Sequence, residues 1–199
     1  MSHTRLRRIL NISSPLNGKK VLDVGCGNGR LGEELKKLGA EVCGIETSET
    51  AANQAHERID EVFIADIEKK WPEQILLENF DLIILAEVLE HMFDPVRVLK
   101  QASACLKRGG GVVITTPNFM TWTNRLKFLF GKFKYKDQGM FDFGHIRWFT
   151  YTYLKDVIKN AGLVIEEESH IIFPGKLTFI LKRWPSFFAW QFVIKAKRS

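Results

Sequence analysis

The sequence predicts an α/β fold, a mostly parallel sheet with helices on both faces, and three observations predict it. Short β-branched runs alternate with segments of helical period along most of the 199 residues. A glycine-rich turn, Gly25-Cys26-Gly27-Asn28-Gly29, stands between the first such run and the first helix. The run Phe80 to Ala86 is apolar almost throughout, as a strand must be when both of its faces are covered.

Taken in order, Lys20 to Val24 reads as a buried strand, followed by the glycine turn and a helix near Arg30 to Leu38 that Gly39 ends. Val42 to Ile45 is a second strand, and Ser48 caps a helix running towards Arg58. Val62 to Ile64 is a shorter third strand and Phe80 to Ala86 the fourth. Asp94 to Leu106 is helical, with Pro95 at a favourable first position. Lys107 to Gly111 reads as a turn and Val112 to Thr115 as a fifth strand. A helix from Thr150 to Ala161, closed by Gly162, precedes two extended segments, Val164 to Phe173 and Trp190 to Lys197. Strand–helix alternation of this kind implies right-handed crossovers, with ligands bound beyond the carboxyl ends of the strands.

Composition narrows the class. An apolar fraction of 45% and a charged fraction of 26% belong to a globular chain. With no repeat or low-complexity linker, residues 1–199 read as one domain. No apolar run reaches the roughly 20 residues needed to cross a bilayer, and no continuous apolar stretch follows Arg5, Arg7 and Arg8, as a secretory signal requires. Cys26, Cys43 and Cys105 offer neither a disulfide framework nor a zinc-type pair, so the expectation is a reducing cytoplasm. The net charge of +6 favours an anionic partner: a phosphate-bearing substrate, RNA or a lipid surface.

The glycine turn is where chemistry begins. A dinucleotide-binding loop reads G-x-G-x-x-G, whereas here Arg30 takes the place of the third glycine and the spacing is G-x-G-x-G. That weakens a dehydrogenase reading. Glu46 ends the second strand, where an acid can accept hydrogen bonds from ribose hydroxyls. Asp66 follows the third strand, within reach of an adenine amino group. A glycine loop alone is a common turn; loop, strand-end acid and second acid in this order are not.

The run Val21-Leu22-Asp23-Val24-Gly25-Cys26-Gly27-Asn28-Gly29 resembles the signature of class I S-adenosylmethionine-dependent methyltransferases. Phe80-Asp81-Leu82-Ile83, Glu87-Val88-Leu89-Glu90-His91 and Gly109-Gly110-Gly111-Val112 extend the resemblance, which covers Lys20 to Gly162. It implies a Rossmann-like fold of seven strands with an antiparallel carboxyl-terminal strand. It also implies that Gly25, Gly27 and Gly29 cradle the methionine part of the cofactor, with Cys26 contributing backbone and Asp23 near the amino group. Glu46 would hold the ribose, Asp66 with Ile67 would flank adenine, and Thr47 and Ala86 would complete the cofactor set.

Methyl transfer to a hydroxyl needs alignment, exclusion of water and removal of a proton by a base or with help from a metal ion. Glu87, Glu90 and His91 stand at i, i+3 and i+4, so one helical turn would put all three on one face. His145, in Gly144-His145-Ile146-Arg147, could complete a set. This E-x-x-E-H arrangement resembles metal-assisted O-methyltransferases acting on quinone precursors or on the terminal ribose of small RNAs. A divalent cation such as magnesium, held by Glu87, Glu90, His91 and His145, is one reading. A metal-free role for His91, His145 or Glu87 as base or substrate partner is the preferred one. Capping and packing roles are the bland alternative.

Between Pro117 and Arg147 the chain mixes aromatic residues with lysines. Trp122, Leu126, Leu129, Phe130 and Phe133 would share an apolar helical face, with Lys127, Lys132, Lys134 and Lys136 around it. Residues 118–147 therefore read as an insertion that covers the acceptor pocket. The stretch Leu177 to Trp190, with Lys182, Arg183, Trp184, Phe187 and Phe188, has a similar mixture, which would also suit a peripheral membrane contact with a lipid-linked substrate. No Asn-Pro-Pro-Tyr or Pro-Cys follows the fourth strand, so oxygen is the preferred acceptor atom. The leading expectation is a small-molecule methyltransferase acting on a sugar, quinone precursor or lipid-linked metabolite. An RNA ribose methyltransferase and a non-catalytic cofactor-binding regulator are its rivals.

Overall fold

A computed structural model describes residues 2–137, 139–172 and 178–198 of the chain. Eight strands form one sheet: β1 (Lys20–Val24), β2 (Glu41–Glu46), β3 (Glu61–Ile64), β4 (Phe80–Ala86), β5 (Leu106–Pro117), β6 (Leu163–Glu168), β7 (Ile171–Ile172) and β8 (Ala189–Arg198). Their order is β3-β2-β1-β4-β5-β8-β6, with β7 paired to β8 off this path. The first five strands are parallel to one another, and β8 runs antiparallel to β5, β6 and β7.

The helices are α1 (His3–Ser13), α2 (Arg30–Lys37), α3 (Glu49–His56), α4 (Glu73–Leu77), α5 (Pro95–Ala104), α6 (Trp122–Leu129), α7 (Tyr151–Asn160), α8 (Thr178–Leu181) and α9 (Pro185–Phe188). Starts follow side-chain caps: Ser48 accepts from Ala51 N, Asp94 from Arg97 N and Thr150 from Tyr153 N. Two apolar layers sandwich the sheet. Leu22, Ile83 and Leu85 pack on one face with Val98, Leu99 and Leu154 of α5 and α7; Val21, Leu82 and Ile84 pack on the other with Ile9, Leu31, Leu35 and Ala52 of α1, α2 and α3. The fourth strand is thus buried on both faces, which is why it lacks polar alternation.

The order places the switch point between β1 and β4, because crossovers run outward from β1 in one direction and from β4 in the other. Ligand sites in open α/β sheets lie at the carboxyl ends beside that point, and here those ends are Val24-Gly25 and Ala86-Glu87.

Several expectations are corrected. The sheet has eight strands, not seven, because the single extended segment expected from Val164 breaks at Ser169-His170 into β6 and β7. The ladder against β8 is interrupted there: Ser169 N donates to Val193 O at 2.9 Å, but Val193 N donates to His170 Nδ1 at 3.3 Å instead of to a backbone carbonyl. Phe173 and Leu177, the ends assigned to two stretches, lie outside the described residues. Lys107 to Gly111 is not a free turn but part of β5, where pairing jumps from Phe80↔Leu106 to Leu82↔Gly111, leaving the intervening residues as a bulge. The apolar helical face expected from Trp122 to Phe133 stops at Leu129, since Gly131 adopts φ of +65°. The helices α1, α4, α8 and α9 are additions that the sequence pattern left unassigned.

Candidate active site

The turn after β1 is set by left-handed backbone at Gly25, Gly27 and Gly29, with φ of 70°, 55° and 78°. Their reasons differ. A Cβ at Gly25 would lie 2.9 Å from Val88 Cγ2, and one at Gly29 2.9 Å from Ala55 Cα, so these two permit close packing against the post-β4 turn and α3. A Cβ at Gly27 would meet nothing within 4 Å. That open space is where a ligand can approach the backbone. Cys26 turns away, its sulfur lying 2.7 Å from where a Gly44 Cβ would sit, in the layer formed with α2 and α3. All three cysteines are buried and free, and burial pushes the Cys26 thiol up to about 12.

Glu46, at the end of β2, organises the cradle. Its Oε2 accepts from Gly27 N at 2.8 Å, and its Oε1 accepts from Thr47 N at 2.8 Å, Thr47 Oγ1 at 3.1 Å and Ser48 N at 2.9 Å. A carboxylate fixed by so many donors keeps one orientation. Beside it opens a cleft of about 240 Å³ lined by Val24, Gly25, Ile45, Glu46, Thr47, Ala65, Ile67, Glu87, Val88, His91 and Met92. The sequence-assigned Gly25, Glu46, Thr47, Ile67, Glu87 and His91 therefore share one cavity. Asp66 does not line it: Oδ1 accepts from Glu68 N at 3.0 Å and Oδ2 lies 3.2 Å from Lys69 Nζ. Ala86 ends β4 opposite Thr115.

Asp23 is 1% exposed, and its Oδ2 has no hydrogen-bond partner. Burial, with the charge of Glu46 adding to it, pushes its carboxyl up to about 7. An unpaired carboxylate oxygen is costly in such a place unless a cationic group arrives to meet it. An ammonium beside the glycine turn would meet that need.

The second half of the site follows β4. The helical face proposed for Glu87, Glu90 and His91 does not form, because Glu87 has φ of +60° and only Leu89–His91 makes a 3₁₀ turn. Glu87 is diverted to Arg5 (3.1 Å), the Thr115 hydroxyl (3.2 Å) and Gln191 Nε2 (2.5 Å). It stands outside the metal-ligating set expected of it. Among the described residues, Glu90, His91 and His145 do converge, each offering a ligand atom within 4.8 Å of the others.

Glu90 is 1% exposed and neither of its oxygens makes a hydrogen bond. Burial, then the charge of Glu87, holds its carboxyl well above the usual range. His91 Nδ1 lies 2.9 Å from Gly144 O, a group that only accepts, so Nδ1 carries the proton and Nε2 keeps its lone pair. His145 Nδ1 likewise donates to Met140 O at 3.0 Å, while its Nε2 lies 3.4 Å from Asp142 Oδ2. The two rings meet edge-on with centroids 4.8 Å apart. A buried unpaired carboxylate and two imidazoles fixed from behind are a donor set that suits a divalent cation.

Arg147 brings these parts together. Its amide donates to Glu90 O at 2.9 Å, and its Nη2 donates to Phe93 O at 2.6 Å, stapling the post-β4 turn to the returning end of residues 118–147. A Cβ at Gly144 would lie 3.3 Å from His91 Nδ1, so glycine admits the imidazole. Sequence reasoning passed over Arg5, Gly144, Arg147 as a clamp, and Gln191. Their partners lie far along the chain, and no local pattern marks them.

A ubiquinone biosynthesis O-methyltransferase from Acinetobacter baylyi is 36% identical over 119 residues, covering 57% of this chain and 50% of the relative. The human mitochondrial ubiquinone biosynthesis O-methyltransferase is 42% identical over 113 residues, covering 52% of this chain and 30% of its own. The chain spans half or less of the length of these curated relatives. Among solved structures, a SAM-dependent methyltransferase from Archaeoglobus fulgidus superposes with a TM-score of 0.69 at 18% identity, over 98% of this chain and 92% of the other. A magnesium protoporphyrin IX methyltransferase from Synechocystis, with bound SAH, gives 0.65 at 16% identity, over 98% and 83%. These structural likenesses are likenesses of fold. Residues 2–168 match the family described as methyltransferase domain, and the chain belongs to that family.

Proposed function

We propose that the chain binds S-adenosylmethionine in the cleft lined by Gly25, Glu46 and Ile67 and methylates a hydroxyl oxygen of a small acceptor of the quinone-precursor or sugar kind. The observation that carries the reading is the buried Asp23 carboxylate in β1, whose Oδ2 is unpaired and which the charge of Glu46 reaches, a cationic amino-acid seat next to a diol seat at Glu46. S-adenosylmethionine supplies the electrophilic methyl group when bound. On this reading Glu46 orients the ribose hydroxyls, Asp23 meets the ammonium, and Ala65 and Ile67 form the apolar side of the adenine seat. Asp66 is left with at most an edge contact.

His91 is the base on this reading. Its Nδ1–H is spent on Gly144 O, so Nε2 is the atom that accepts the acceptor's hydroxyl proton. In the alternative arrangement Glu90, His91 Nε2 and His145 would hold a divalent cation, magnesium for example, which would lower the pKa of that hydroxyl, and His91 would then be a ligand and not the base. On this reading the described part of the insertion after β5 serves as the cover that keeps water out, its aromatic core built where Phe119 stacks on Trp148 (centroids 4.8 Å apart) and Phe128 (5.1 Å).

The finer reading of the partner is an anionic membrane surface carrying a lipid-linked acceptor. Leu129 is 78% and Phe130 69% exposed, Trp122 and Phe187 are also exposed, and Lys127, Lys132, Lys134 and Lys136 in the same stretch of chain are exposed too. Exposed apolar side chains interspersed with cations suit an anionic interface. Among the described residues no helix is long and apolar enough to cross a membrane.

The test is transfer of a labelled methyl group in extracts. Label in small organic-soluble compounds is the expected result, with sedimentation on phosphatidylglycerol vesicles and not on phosphatidylcholine vesicles. Label in RNA would replace the acceptor class, and cofactor binding with no transfer to any extract would favour a regulatory role. Failure of folded protein to bind S-adenosylhomocysteine would remove the whole reading.

A further inference from the structure

Among the described residues, Glu87 is the only non-glycine residue with positive φ. Strain of this kind persists where the surroundings over-determine the backbone, and it gathers at functional sites. Here the surroundings come from three distant parts of the chain. Glu87 N donates to Thr115 O at 3.0 Å, and its Oε2 takes Arg5 Nη2 at 3.1 Å. Gln191 Nε2 donates to Glu87 Oε1 at 2.5 Å, and Arg5 Nε donates to Gln191 Oε1 at 3.1 Å. Arg5, Glu87 and Gln191 thus close a ring in which each residue bonds both others, joining α1, the end of β4 and β8.

The ring sits against the cofactor cleft. Glu87 and Val88 line it with Gly25 and His91, and Val88 Cγ2 lies 2.9 Å from the point a Gly25 Cβ would occupy. Any rotation of the Glu87 backbone would move Val88 against the glycine turn on one side and His91 on the other. The docking of α1 does not need Arg5, because Ile9 and Ile12 are buried beneath the helix.

We infer that Arg5 is a positioning residue for the cofactor cleft: by holding the Glu87 carboxylate against Gln191 it fixes the wall formed by Glu87 and Val88, so that the amino-terminal helix completes the site. The inference rests on the reading of that cleft as the S-adenosylmethionine seat.

Calorimetry with S-adenosylhomocysteine tests it on the full chain, with thermal unfolding as the check on folding. Arg5→Ala should weaken binding roughly tenfold, as for loss of a charge-assisted hydrogen bond. Arg5→Lys should restore part of the loss. Arg8→Ala, which removes a bond of 3.3 Å from the same helix to Ser169, should leave affinity within twofold of wild type. In a Glu87→Ala background, Arg5→Ala should add no further loss. Wild-type affinity in Arg5→Ala, an equal loss in Arg8→Ala, or an undiminished Arg5 effect without Glu87 would each overturn the inference. Those outcomes leave the cofactor assignment standing; absent binding by the wild type would remove both.

Discussion

The amide of Gly27 donates to Glu46 Oε2 at 2.8 Å, across 19 residues of sequence. This bond ties the turn after β1 to the end of β2 and fixes the carboxylate before any ligand arrives. Pre-orientation of this kind reduces the ordering cost of binding.

Glu46→Ala should weaken S-adenosylhomocysteine binding by about 1.5–3 kcal/mol, the range for hydrogen bonds to a charged group. Glu46→Gln should fall between the two, since an amide cannot accept at both ends. Titration calorimetry reads the difference, and an alanine variant with wild-type affinity would contradict the ribose assignment.

Asp23 predicts a pH dependence. Its carboxyl is raised to about 7 in the folded chain, so the unfolded state ionises first as pH rises from about 4. The free protein therefore loses stability between about pH 4 and pH 7, and above that the penalty is constant. A bound ammonium relieves it. Stabilisation by S-adenosylhomocysteine should grow from pH 5.5 to pH 8, while Asp23→Asn should unfold at the same or a higher temperature than wild type at pH 8 and bind at least tenfold more weakly. Thermal unfolding with and without ligand at the two pH values measures both. A flat ligand effect would count against Asp23 as the ammonium partner.

Gly144→Ala should separate turnover from binding. Its Cβ would lie 3.2 Å from Asp142 Oδ1 and 3.3 Å from His91 Nδ1, so the loop or the imidazole must give way. Methyl transfer into extract should fall by more than tenfold, with S-adenosylhomocysteine affinity within about threefold of wild type, as for loss of alignment. Equal losses in the two would place His91 in cofactor binding instead of proton removal.

Glu90→Gln tests the cation reading without relying on turnover. In metal-free protein at pH 8 the substitution removes a buried carboxylate whose oxygens have no partner, so the unfolding temperature should rise. Manganese should bind wild type, seen by electron paramagnetic resonance, and fail to bind Glu90→Gln. Chelator should then lower activity and magnesium restore it. Wild type that takes up no manganese would leave His91 as a base acting without a metal.

Much of the cleft proposed for the cofactor was legible before folding. Gly25, Gly27 and Glu46 sit where strands end, and strand ends in a parallel sheet converge at the switch point whatever the loops do. Asp66 was less legible, because an acid after a strand can also satisfy its own turn, which it does with Glu68 N. Glu87 misled because spacing of i, i+3 and i+4 places residues on one face only where the backbone is helical, and at Glu87 it is left-handed.

By itself the sequence determined the α/β class and the glycine turn with its strand-end acid. These depend on periodicity and on local backbone preference, which short stretches of chain carry. Only the tertiary structure decided which carboxylate stands unpaired in the interior and which one Arg5 and Gln191 hold. It alone decided that Arg147 would bring His91 beside His145. Those outcomes depend on burial and on contacts between residues far apart in the chain, which exist only once the sheet has closed around them.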